Sequence, residues 1–191
     1  MSMPDCKIVY KKFCHTKLQL PYISGFLAFR EVQPLLVLLE QLKHDEPELY
    51  PQIILVDGNG LLHPRRFGIA CHLGVLANTP TIGVAKNFLV IPSEIDDMST
   101  YKRVFDNKLL ERGDEYILKG ASNSLIYGSA VRTSDTAKNP VFVSQGHRVS
   151  LKTAIKIVLA TCIKYRLPEP IRAADQESRE YIRRNPCFAK T

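Results

Sequence analysis

The stretch Ile53-Ile54-Leu55-Val56-Asp57-Gly58-Asn59-Gly60 constrains this chain more than any other. An apolar run of strand length, closed by a glycine-bracketed turn, reads as a buried strand of a parallel or mixed sheet. Thr81-Ile82-Gly83-Val84-Ala85-Lys86 repeats the pattern, again ending in a charged residue. Between the two lies a short apolar helix carrying Ile69, Leu73, Leu76 and His72, which Gly68 begins and Asn78 closes. Strand, helix, strand is a βαβ unit, and its right-handed crossover sets Asp57 and Lys86 at the same end of neighbouring parallel strands. That C-terminal lip is where open α/β sheets bind ligands. Two readings follow for the pair. Asp57 either shapes an Asp-Gly turn and ion-pairs with Lys86, or it is a metal or catalytic carboxylate with a cation beside it.

The rest of the chain is read around this unit. Residues 6 to 14 have strand-like content and predict a short strand near an edge. Pro21-Tyr22-Ile23-Ser24-Gly25 is a loop with one aromatic. Tyr22 either stacks on a base, as in single-strand binders, or packs beneath the loop. Phe26 to Val32 leads into Pro34 and then Leu35, Leu36, Leu38, Leu39 and Leu42, a spacing that predicts an amphipathic helix with Pro34 in its first turn. Glu31 then falls at or just before the helix N-terminus, where the dipole favours a carboxylate. His63-Pro64-Arg65-Arg66-Phe67-Gly68 is a loop whose arginines either bind phosphate or are solvated. Pro92 to Gly113 is polar, with helical content confined to Tyr101 to Leu110, and reads as a connecting segment. Three strands, at 116–118, 125–131 and 141–144, are expected to pair antiparallel. Ser150 is placed to cap a helix with Leu151, Ala154, Ile155, Val158, Leu159 and Cys162 on one face. His147 sits at the preceding strand-to-helix junction and is expected near the same lip as Asp57. A polar helix from 171 to 184 carries Asp175.

Charge and cysteine usage narrow the partner class. A formal charge of +7 favours a polyanionic partner, nucleic acid ahead of an anionic membrane face. The 191 residues, 45% hydrophobic, suffice for one globular domain without staples. Five scattered cysteines with no Cys-x-x-Cys spacing read as reduced intracellular thiols. No signal peptide and no membrane-length apolar run appears, so a soluble intracellular protein, a monomer by default, is expected.

Glu31, Asp57 and His147 are oxygen and nitrogen donors at element ends, with Lys86 beside them. Hard oxygen ligands at a sheet lip suit Mg²⁺ or Mn²⁺, and phosphodiester hydrolysis is the matching chemistry. At this point the chain resembles the endonuclease V family, ribonuclease-H-like nucleases that recognise inosine. The resemblance runs through Pro21-Tyr22-Ile23-Ser24-Gly25-Phe26-Leu27-Ala28-Phe29-Arg30-Glu31, Val56-Asp57-Gly58-Asn59-Gly60 and His63-Pro64-Arg65-Arg66-Phe67-Gly68. It continues through Gly83-Val84-Ala85-Lys86, Gly146-His147-Arg148 and Arg166-Leu167-Pro168-Glu169-Pro170.

The resemblance implies a ribonuclease-H-like mixed sheet flanked by helices, in one domain over residues 1–191. It implies metal-binding carboxylates at Glu31 and Asp57, a metal-site histidine at His147, and Lys86 near the attacking water and scissile phosphate. Tyr22 resembles a wedge that fills the gap left by a flipped base. Gly25, Leu27, Gly58, Gly60, Gly68 and Gly83 correspond to the base pocket, and His63 and Arg65 to a nucleic-acid-facing loop. Asp175 aligns with an acidic position after Pro-Glu-Pro. The implied activity is Mg²⁺-dependent cleavage 3′ to inosine in single-stranded RNA, or to deoxyinosine in DNA, in the cytoplasm and the nucleus or nucleolus. Ser24 and Asn59, where bacterial members carry Pro and Gln, lean the substrate towards RNA. Family members begin with a further segment whose first core strand carries an aspartate of the metal site, and this chain starts after it. An N-terminally truncated domain short of one metal carboxylate is therefore expected. The alternatives are an impaired isoform that only binds nucleic acid, and a fragment that folds poorly.

Overall fold

The computed structural model describes residues 1–21, 23 and 25–186. Its five strands are β1 (Ile54–Asp57), β2 (Thr81–Ala85), β3 (Glu115–Lys119), β4 (Ile126–Val131) and β5 (Val141–His147), in the sheet order β1-β2-β5-β4-β3. β1 and β2 are parallel, and the other pairings are antiparallel, so the sheet is mixed as expected. The helices are α1 (Leu27–Asp45), α2 (Ile69–Ala77), α3 (Met98–Lys108), α4 (Leu151–Thr161) and α5 (Glu169–Arg184).

Strand periodicity sorts the helices onto the two faces. Successive residues of a strand point to opposite sides. Ile54 and Val56 accordingly pack with α1 and α2, through Ala28, Val32, Ile69, Ala70 and Leu73. Ile53 and Leu55 pack with Ile82, Val84, Val143 and the apolar faces of α4 and α5. A third cluster joins α3 to β3, β4 and β5 through Phe105, Leu118, Ala130 and Phe142, with Leu62 beneath. β2 is buried along its whole length, which is why its sequence is a continuous apolar run.

Caps fix several element ends. Asn78 ends α2 in the left-handed conformation at φ 50°, a shape its short polar side chain tolerates. The Ser150 hydroxyl accepts from the Thr153 N–H at the start of α4, as its sequence position predicts. Asp97 does the same for α3, accepting from Ser99 and Thr100.

Two expectations fail. α1 begins at Leu27, so Pro34 lies inside the helix and Glu31 in its second turn. A proline there forfeits the bond its own N–H would donate and presses its ring on the Arg30 carbonyl; the packing of Leu35, Leu36 and Leu39 on the sheet offsets that cost. Residues 6–14 form no strand beyond an isolated bridge of Lys7 to Ser2. They cross α1 and α5 instead, where Lys12 meets Asp45 at 2.8 Å, Lys11 meets Glu177 at 2.6 Å and Phe13 stacks on Tyr181 at 4.5 Å. Strand content without a ladder partner does not make a strand. No helix of the described residues is long and apolar enough to cross a membrane.

Candidate nucleic-acid site at the sheet lip

The parallel register of β1 on β2 pairs Asp57 with Val84. Lys86, two residues further along, therefore reaches across, and its Nζ donates to Asp57 Oδ2 at 2.8 Å. The Asp57 side chain is 47% exposed and that of Lys86 28%. Both charges thus remain open to a ligand, and water screens their mutual attraction. Glu31 lies in the turn of α1 between Ala28 and Val32, which share a cluster with Val56, the residue before Asp57. Burial pushes the Glu31 carboxyl above its ordinary value, against the opposing charge of Arg30.

His147 is not brought to this lip. β5 runs antiparallel to β2, so His147 pairs with Thr81, at the start of β2, while Phe142 pairs with Ala85, at its end. Four residues of strand separate the two ends, about 13 Å. The expectation that His147 shares the lip treated β5 as ending where β1 ends, and strand polarity overturns it. His147 packs instead beside α2, where a Cβ on Gly74 would meet the His147 Cβ at 2.4 Å. Asp175 lies on α5, its carboxylate accepting from Arg179 Nε at 3.1 Å. Among the described residues no three His, Cys, Asp or Glu side chains group to hold a metal ion. Glu31 and Asp57 are the carboxylates at this end of the sheet to which a hard cation could bind, with water and phosphate oxygens in its other positions.

Beside the lip opens a cleft of about 300 Å³, lined by Gly25, Leu27, Gly58, His63, Arg65 and Gly68 among the expected residues. Gly60 and Gly83 lie beneath it. A Cβ on Gly83 would stand 2.4 Å from Gly60 N, and one on Gly60 would stand 2.0 Å from Gln145 O. These two glycines let the turn after β1 settle directly on β2 and β5. Gly60 N donates to Ser144 Oγ at 2.8 Å and Leu61 N to Gln145 O at 2.8 Å, which anchors the turn. Tyr22 lies outside the described residues.

His63 faces inward, while Arg65 lines the cleft and stays exposed. His63 is 7% exposed; its Nε2 stands 3.1 Å from Gly25 O, and its Nδ1 accepts from Arg65 N–H at 3.2 Å. Arg65 also donates to Gly25 O from its guanidinium, which lies 3.9 Å from the centre of the Phe26 ring. Burial holds the His63 imidazole below its usual range; the Arg65 charge adds to this and the Gly25 bond opposes it.

Sequence reasoning missed Phe26, Phe29, Phe67 and His72 and gave Asn59 only a lean towards RNA; all five line the cleft. Asn59 Oδ1 is buried with no hydrogen-bond partner among the described residues. His72 lies against Phe29 at 5.4 Å and Phe67 at 5.8 Å. Phe26 and Phe29 were absorbed into an amphipathic helix pattern. Their exposure, 45% and 62%, is what separates them from core residues.

The family model for Endonuclease V matches residues 1–176. A human endonuclease V is 45% identical over 186 residues, covering 97% of this chain and 64% of its own length, and a mouse one is 47% identical over 185, covering 96% and 53%. The chain thus spans less than two thirds of these relatives. The crystal structure of human ENDOV superposes with a TM-score of 0.91 at 44% identity, over 96% of this chain and 76% of that one. An endonuclease V of Ciona intestinalis, solved with a 23-mer DNA containing an inosine followed by a ribo-adenosine, superposes at 0.88 with 41% identity, over 95% and 75%. Sequence and fold agree over nearly the whole of the chain, which therefore belongs to the endonuclease V family.

Proposed function

We propose that the chain is an inosine-directed endonuclease that takes one hypoxanthine base into the cleft and hydrolyses a phosphodiester at the Asp57–Lys86 lip, on the 3′ side of the inosine. The observation that supports this best is adjacency. Asp57 carries the exposed carboxylate and Gly58, the next residue, lines the cleft. A base seated in the cleft has its own phosphate within a nucleotide's reach of the charged pair. Lys86 offers a point charge to phosphate oxygens, and Asp57 orients water on the solvent side. A bound Mg²⁺, held by Glu31 and Asp57, would supply water activation and charge neutralisation at the phosphate. The unpartnered Asn59 Oδ1 favours hypoxanthine over adenine, since an acceptor suits the protonated N1 of hypoxanthine and repels the lone pair on the N1 of adenine. Single-stranded RNA is the preferred substrate. The Ciona relative's ligand, with a ribonucleotide after the inosine, supports a 2′-hydroxyl on the 3′ side of the base.

The test is product mapping. The purified chain is incubated with Mg²⁺ and a 5′-labelled single-stranded RNA carrying one inosine, beside the adenosine control and the Asp57→Asn variant. The expected result is one fragment from the inosine strand and none from either control. Cleavage indifferent to inosine refutes the base reading, and binding without cleavage refutes the hydrolytic one.

A further inference from the structure

We infer that His63 and Arg65 are positioning residues: by converging on the one carbonyl of Gly25 they clamp the loop before α1 across the mouth of the cleft. This rests on the cleft being the base site. Two arginines and a histidine in a loop of a basic chain read as phosphate ligands, but the geometry commits the buried His63 and the exposed Arg65 to the carbonyl of Gly25. The Arg65 backbone N–H donates to His63 Nδ1, so that nitrogen carries no proton. The proton is on Nε2, which donates to Gly25 O. His63 is thus held as one neutral tautomer, and burial favours the neutral ring. The Arg65 guanidinium supplies the second donor to the same oxygen, which has two lone pairs to offer. Its face covers Phe26.

Gly25 has the left-handed φ of +79°, a conformation that glycine adopts without strain. Its carbonyl therefore turns towards the 63–65 loop. Gly25 and Leu27 line one wall of the cleft, and Gly58 and Gly68 line another. The clamp joins these walls and sets how far apart they stand. It also holds the turn before α1, in which Phe26 N donates to Ile23 O at 2.9 Å.

The chain contains no tryptophan, so Ile23→Trp introduces a single fluorophore at an exposed position two residues before Gly25. In this background the free protein is compared with His63→Gln, His63→Asn and Arg65→Met by fluorescence anisotropy. Affinity for an inosine RNA is then measured as a function of salt. A glutamine amide reaches the place of Nε2 and restores the bond to Gly25, whereas an asparagine amide reaches only the place of Nδ1. The expected result is near-parental anisotropy and affinity for Gln. For Asn and for Met, anisotropy falls and inosine affinity is roughly five-fold weaker, as for one lost hydrogen bond. The salt slope is expected to be unchanged in Arg65→Met. A slope smaller by about 1, the loss of one phosphate contact, overturns the clamp, as does equal anisotropy in the Gln and Asn variants. If anisotropy falls as expected while the parent itself shows no preference for inosine, the clamp stands and the base reading fails.

Discussion

Replacing Gly83 by Ala tests how the lip is built. Gly83 lies mid-strand, paired with Val56 on one side and Ser144 on the other, so it cannot move without moving the sheet. Its added methyl would stand 2.4 Å from Gly60 N, 2.7 Å from Asn59 C and 2.8 Å from Gly58 O. All three are backbone atoms of the turn that carries Asn59, and no flexible side-chain end is available to yield. Ordinary contact begins near 3.4 Å, so the turn must retreat by about 1 Å. That strains the bonds from Gly58 N to Val84 O (3.1 Å), Gly60 N to Ser144 Oγ and Leu61 N to Gln145 O. Overpacking costs ~1–3 kcal/mol and a lost hydrogen bond about 1 kcal/mol more. Replacing glycine in a strand returns roughly 0.5–1 kcal/mol, leaving a net loss of about 1–3.5 kcal/mol. For a chain of this length that lowers Tm by roughly 2–14 °C. Circular dichroism melts measure it, and titration with an inosine oligonucleotide below the new Tm should show weakened binding by the folded fraction. A melt within about 2 °C of the parent, with unchanged inosine affinity, refutes the account of the turn.

Lys86→Met should shift Tm by less than roughly 3 °C, because a half-solvated ion pair contributes at most about 1 kcal/mol, while cleavage of inosine RNA falls by more than ten-fold; quantified gels and a melt check both. Asn59→Leu should cut the preference for inosine over adenosine roughly five-fold, one neutral hydrogen bond's worth, read by competition binding. Stability should also depend on pH through His63, whose imidazole is held below its ordinary 6.5 by burial, with Arg65 the charged neighbour that adds to the shift. The unfolded chain takes up the proton first as pH falls, so this contribution is complete above about 6.5 and is lost between there and the folded value. Urea midpoints at pH 7.5 and 5.5 should accordingly fall by less in His63→Gln than in the parent.

The parts of the fold legible in the sequence are those set by local pattern. The runs 53–57 and 81–85, the turn residues Gly68 and Asn78 and the Ser150 cap each carry their own signal, and β1, α2, β2 and the start of α4 follow from them. The Asp57–Lys86 contact was legible too, because parallel neighbours joined by one helix end on the same side. What was not legible depends on partners distant in sequence. His147 sits at the far end of the sheet because β5 enters antiparallel, and nothing within residues 141–147 encodes that polarity. Residues 6–14 look like a strand but lie across helices, since strand content says nothing of whether an edge is there to pair with. His63 and Arg65 match a phosphate-binding pattern, and only the tertiary position of Gly25 draws both to its carbonyl.

Whether a base-selective cleft adjoins the charged lip is decided by the affinity of the purified chain for single-stranded RNAs that differ at one position, inosine against adenosine, at two salt concentrations. The account predicts tighter binding to the inosine strand by at least five-fold, with a ratio that does not change with salt, because the phosphate contacts are common to both strands. Equal affinities, or a preference that vanishes at the higher salt, would contradict it.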